Sequence, residues 1–153
     1  QSLLAAPGID ANTGNNYGTT ALMRAAEYGH NGCVQSLLAA PDIDVNATDN
    51  YGATALMYAA GDGYIDCVQS LLAAPDIDVN ATSNYGITAL MIAADNVYND
   101  CVQSLLTAPG IDTNAADKYG TPALILAAAN DGNEPSLPIF CTAAKGRFRE
   151  RES

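Results

Sequence analysis

Tryptophan is absent from this 153-residue sequence, phenylalanine occurs twice, and aromatic residues make up only 7% of a chain that is nearly half apolar. Alanine supplies much of the apolar fraction. Such small side chains suit close helix packing better than a sandwich or barrel, whose strands are rich in aromatic and β-branched residues. Basic residues are scarce, and four of the six (Lys145, Arg147, Arg149 and Arg151) crowd into the last nine positions. Residues 1 to 134 hold only Arg24 and Lys118 against fifteen carboxylates, a balance of −13. A duplex carries a phosphate charge every ~1.7 Å of axis, so this body should repel it, and nucleic acid is not an expected partner. The single histidine, His30, cannot build a zinc cluster, and its place after Gly29 fits a helix start or a turn. No G-x-x-x-x-G-K phosphate cradle occurs. No catalytic, cofactor-binding or metal-binding residue is expected, and the chain does not read as an enzyme.

No run approaches the ~18 apolar residues of a membrane span, so membrane insertion is not expected. The chain opens without methionine, inside a repeat unit, as a segment of a longer protein would. The compartment is open, with the cytoplasm favoured. Asn46-Ala47-Thr48 and Asn80-Ala81-Thr82 are formal glycosylation sequons that matter only in a secreted protein. Of four cysteines, Cys33, Cys67 and Cys101 occupy one equivalent position beside Val34, Val68 and Val102. Stacked units lie roughly 10 Å apart while a disulfide needs Cα atoms within about 7 Å, so these three are expected as small buried hydrophobes. Cys141 is off register and reads as an ordinary thiol.

What the sequence does have is a repeat. Cys-Val-Gln-Ser-Leu-Leu starts at 33, 67 and 101, its tail Gln-Ser-Leu-Leu opens the chain, and Tyr-Gly recurs at 17, 51, 85 and 119, a period of 34 residues. A unit this short cannot bury its own apolar face and must stack on its neighbours. In the unit from Asp49 to Ala81, Thr54 can cap a short helix carrying Ala55, Leu56, Ala59 and Ala60, and Gly61-Asp62-Gly63 stops it. A second helix starts near Ile65, with Cys67, Val68, Leu71 and Leu72 as its buried stripe and Gln69 and Ser70 towards water. Pro75 ends it near Ala73 or Ala74. An extended arm, Asp76 to Asn80, then leads into a Ser-Asn-Tyr-Gly turn in which Gly86 takes a positive φ.

A tetratricopeptide unit would have longer helices, little loop, and Trp, Leu-Gly and Tyr at set offsets. Here "G-x-T-A-L-M-x-A-A-x-x-G" in the first two full units, followed by "C-V-Q-x-L-L" and "D-V-N", resembles the ankyrin repeat over about residues 1 to 130. The resemblance implies a mainly α solenoid of stacked helix-turn-helix units with projecting β-hairpin-like turns. Ankyrin units usually have 33 residues, and the extra one falls in the Ala-Pro-Asp-Ile stretch. Alanine stands at 21, 55 and 89 where the family has proline, and Met23, Met57 and Met91 replace its histidine, which reduces turn rigidity and hydrogen bonding. The array is expected over residues 1–132, with a partial unit at 1–14, units starting near 15, 49 and 83, and a degenerate one near 117. Val97 replaces the glycine of earlier units, so that inter-helix turn is expected to be altered or looser. Pro122 is acceptable in a first helical turn. Pro135 and Pro138 interrupt the next helix, making 133–153 a non-repeat segment. In it, Leu137, Ile139 and Phe140 are expected to cover the last face, and the tail from Lys145 to be solvated.

Asp42-Ile43-Asp44-Val45-Asn46 and Asp76-Ile77-Asp78-Val79-Asn80 begin like calcium loops but lack the glycine and glutamate such loops need, so the carboxylates and amides are expected to hold the arm by local backbone bonds. Positions that vary between units are the candidate partner face. They are Thr19, Ala53, Ile87 and Thr121 near the turn tips, Arg24, Tyr58, Ile92 and Leu126 on the first helices, Glu27, Gly61, Asp95 and Ala129, and Tyr28, Asp62, Asn96 and Asn130. Tyr17, Tyr51, Tyr85 and Tyr119 form a ladder of projecting aromatics, or else a relic copied by duplication. The resemblance implies a scaffold or adaptor that grips another protein on the concave face of turn tips and first helices, and the acidic surround favours a basic partner surface. The alternatives are a targeting segment of a larger multidomain protein, with any enzymatic activity supplied elsewhere, and a passive spacer.

Overall fold

The computed structural model describes residues 10–118 and 120. Tyr119, the rest of the expected fourth unit, the 133–153 segment, Cys141 and the first nine residues lie outside the described residues. Among the described residues six helices follow one another: α1 (Ala21–Glu27), α2 (Asn31–Leu38), α3 (Ala55–Gly61), α4 (Ile65–Leu72), α5 (Ala89–Asp95) and α6 (Asn99–Leu106). Each has about two turns, too short to be stable alone in water, so packing must hold them. The first helix of each pair packs on the first helix of the next, the second on the second, and the two within a pair on each other. The chain is thus a stack of two-helix layers, with one row of first helices and one of second helices. Among the described residues there is no strand. Two main-chain bonds close each projecting turn, from Asp49 N–H to the Ala53 carbonyl and Gly52 N–H to the Asp49 carbonyl (both 3.0 Å), and from Ser83 N–H to the Ile87 carbonyl and Gly86 N–H to the Ser83 carbonyl (both 2.9 Å).

Threonine begins each first helix as expected. Thr20, Thr54 and Thr88 lie in extended backbone, and their hydroxyls accept the N–H of Met23, Met57 and Met91 at 3.2–3.3 Å. In α1 the Met23 sulfur also receives the Thr20 N–H at 3.5 Å, where a capping-box glutamate would reach. The second helices end at Leu38, Leu72 and Leu106, shortly before Pro41, Pro75 and Pro109. Ser70, expected towards water, donates instead to Asn31 Oδ1 of the preceding repeat at 2.7 Å.

Burial depends on which neighbours a residue has. Every residue of α3 and α5 is buried, whereas α1 leaves Ala21 and Arg24 exposed. Cys67 and Cys101 are buried as expected, but Cys33 is exposed, which corrects the expectation at that position. Valine shows the opposite trend, since Val34 and Val68 are fully buried and Val102 only partly. The cysteine therefore faces the preceding second helix and the valine the following one, and Cys33 has no described helix on its outer side. Leu71 and Leu105, fully buried between the rows, contribute roughly 1.5–3 kcal/mol each.

The inter-helix turns put Gly29 and Gly63 at φ 72° and 74°. The rings of Tyr64 and Tyr98 from the following repeats close over them so tightly that an added Cβ would lie 2.6–2.8 Å away. Val97 keeps the same turn at φ 59°. Its bonds match those of the second repeat, with Tyr98 N–H reaching the Ala93 carbonyl as Tyr64 N–H reaches that of Ala59, both at 3.0 Å. The turn is not looser. Valine instead carries a left-handed strain of roughly 1–2 kcal/mol, imposed by the stack.

Candidate protein-binding face

Each turn tip is organised by its first side chain. Asn15 Oδ1 accepts the N–H groups of Tyr17 and Thr19 at 2.9 and 3.0 Å, Asp49 Oδ1 those of Tyr51 and Ala53 at 2.9 Å, and Ser83 Oγ those of Tyr85 and Ile87 at 3.2 and 3.3 Å. Gly18, Gly52 and Gly86 then turn the chain at φ 74–76°. Successive tips are joined through the main chain: the Tyr17 carbonyl accepts Asn50 N–H, that of Tyr51 accepts Asn84 N–H, and that of Tyr85 accepts Lys118 N–H, at 2.9–3.0 Å. The Asn50 and Asn84 side chains add bonds to the Asn16 and Asn50 carbonyls at 3.2 and 3.1 Å. A Cβ on Gly52 would lie 2.8 Å from Asn84 N and one on Gly86 2.9 Å from Lys118 N, so these two glycines are required by the approach of the next tip.

The ladder leaves Tyr17 44% exposed, while Tyr51 and Tyr85 are half-buried against the core. Around it, Arg24 is exposed with its guanidinium 5.3 Å from the centre of the exposed Tyr28 ring. Asp62 and Asn96 are half-buried, and Asn96 donates to the Ile92 carbonyl at 2.8 Å.

The other varied positions lie inside the stack. Thr19, Ala53 and Ile87 are buried, as are Glu27 and Asp95, and so are Tyr58 and Ile92 at 2% and 4% exposure. The Tyr58 hydroxyl donates to Asp49 Oδ2 at the foot of its own turn. Ile92 Cγ2 lies 3.2 Å from where a Cβ on Gly61 would sit, so a large residue on one first helix meets a small one on the previous helix. At Gly61 and Ile92 the variation is complementary packing between repeats. The exposed and half-buried part of the expected face is Tyr17, Tyr51, Tyr85, Arg24, Tyr28, Asp62 and Asn96. Leu126 and the other positions from Thr121 onward lie outside the described residues.

The arms behave as expected locally. Asp44, Asp78 and Asp112 Oδ1 accept the N–H of Asn46, Asn80 and Asn114 at 2.9–3.0 Å. The sequence did not reveal that the same asparagines join repeats. Asn12, Asn46 and Asn80 each donate to the carbonyl thirty residues on and accept the N–H two residues further, at 2.7–2.8 Å. Recurrence of Asp-x-Asn at one step was the only available signal. Among the described residues no three His, Cys, Asp or Glu side chains gather as metal ligands, and no helix is long and apolar enough to cross a membrane. Burial, and secondarily Asp100, pushes the Cys101 thiol up to about 11, and Cys67 moves the same way from burial and Asp66.

The stacked helix pairs with hydrogen-bonded tips define a helical-repeat solenoid. The chain belongs to the ankyrin repeat family: family models described as ankyrin repeats (3 copies) and ankyrin repeats (many copies) match residues 1–83 and 76–127. A comparison with curated proteins found no match. Ankyrin repeats are in general protein-protein interaction modules and are typically non-catalytic.

Proposed function

We propose that the chain is an interaction scaffold holding another protein along its turn tips and the exposed edge of its first helices. The observation that carries this reading is the main-chain ladder joining the tips, which fixes Tyr17, Tyr51 and Tyr85 one repeat apart. Rigid, regularly spaced tyrosines offer a large contact area at low entropy cost, about 1–2 kcal/mol for each used as an anchor. Among the described residues the exposed carboxylates are Asp10, Asp42, Asp44, Asp76, Asp78 and Asp112 on the arms and Asp66 and Asp100 at the second-helix starts. Asp49 and Asp117 beneath the tips are buried. The acidic body thus steers a basic partner at long range while the tips make neutral, aromatic contact. Panning a displayed peptide library against the full chain tests this. Selected peptides should be rich in Lys and Arg and lose at least about tenfold in affinity for Tyr51→Ser/Tyr85→Ser, the expected worth of one or two anchors. Peptides that bind this variant as well as wild type would overturn the reading, and a chain that selects none would be a spacer.

A further inference from the structure

A groove among the described residues lies away from the tips, in the row of second helices. It measures about 660 Å³ between the end of α2, the arm that follows it and the end of α4. Leu38, Ile43 and Pro75 give it apolar walls, and Asp42, Asp44 and Asp76 place three exposed carboxylates on its lining. A shallower channel of about 460 Å³ continues from Leu38 between α2 and α4 towards Asp66. An occupant suited to it would carry several cations around an apolar side chain. Within this chain, Arg24 and Lys118 are the only cations before residue 145, and four stand in Lys145-Gly146-Arg147-Phe148-Arg149-Glu150-Arg151 around Phe148.

We infer that this groove is the seat of the chain's own residues 145–151. Reach permits it: the twenty-five steps from Gly120, the last described residue, to 145 span up to about 80 Å when extended, against a stacking step of roughly 10 Å per repeat. Exposed ion pairs are individually weak, but a tether raises the local concentration of the segment to about the millimolar range, so modest intrinsic affinity suffices. Docked there, the segment screens the acidic arms from a basic partner and acts as an internal competitor for it.

The test uses the full chain and its amide NMR spectrum. Lys145→Gln with Arg147→Gln, Arg149→Gln and Arg151→Gln should shift the amides of Ile43, Asp44, Ala74 and Asp76. High salt should produce the same shifts in wild type and none in this variant. A synthetic peptide of residues 145–153 added to the variant should reverse them. Asp42→Asn/Asp44→Asn/Asp76→Asn removes the charge but keeps the Oδ1 acceptor that Asn46 N–H uses, and asparagine tolerates the φ of 60° at position 42. That variant should be insensitive to the tail substitutions while keeping wild-type shifts at the tips. Unchanged groove amides on neutralising the tail, or shifts confined to the tips, would overturn the inference.

Discussion

At the turn tips successive repeats are joined through the main chain, Asn50 N–H to Tyr17 and Asn84 N–H to Tyr51, whereas at the arms the side-chain amides of Asn12, Asn46 and Asn80 make the joins. Main-chain joins do not depend on the side chain. Lys118 stands where Asn50 and Asn84 stood and still reaches the Tyr85 carbonyl at 3.0 Å. The arms have no such freedom on the donor side, although their acceptors are carbonyls, so Gly110 serves as well as Asp42 or Asp76. The tips can therefore vary their chemistry without loosening the stack, which is what a binding edge needs.

The largest disruption should come from a glycine outside both sets of joins, in the turn between α3 and α4. Gly63→Val combines left-handed strain with a Cβ 2.8 Å from the Tyr98 ring, and should cost about 3 kcal/mol in urea unfolding. Next comes the comparison itself. Asn46→Ala removes two inter-repeat bonds and should cost about 2 kcal/mol, whereas Asn50→Ala leaves the main-chain join intact and should cost no more than about 0.5 kcal/mol. Equal losses would break the distinction between arms and tips. Smaller and opposite in sign, Val97→Gly should stabilise by about 1 kcal/mol by relieving strain in a turn whose bonds already match its neighbours.

The last effect shows only as a loss of stability at alkaline pH. Because the folded state keeps the Cys101 proton up to about 11 while an unfolded thiol loses it near the ordinary 9.0, this contribution is complete below about pH 9 and disappears between about 9 and 11. Cys101→Ala should flatten that part of the stability profile. In the folded protein at pH 8, a maleimide should label Cys33 much faster than Cys67 or Cys101.

Most of the scaffold was legible because its signals are local and recur: threonine caps, prolines after the second helices, and glycine at positive φ. Reading the face was harder. Tyr58, Ile92, Glu27 and Asp95 vary between repeats as partner contacts would, but all four are buried, and Ile92 packs where Gly61 leaves room on the previous helix, a relation that no single unit displays. Val97 shows the same limit from the other side, since propensity alone argues for a changed turn and the stacked rows keep it unchanged. The arm asparagines read as local turn formers because bonds to residues thirty positions away leave no trace in the unit that donates them.

The most direct measurement is an amide shift map of the isotopically labelled full chain bound to a selected basic peptide. Perturbations centred on Tyr51, Gly52, Tyr85 and Gly86, and extending to Tyr28 and Asp62, are the expected result. Perturbations confined to Asp44–Asn46 and Asp78–Asn80 with silent tips would contradict a binding edge built on the main-chain ladder.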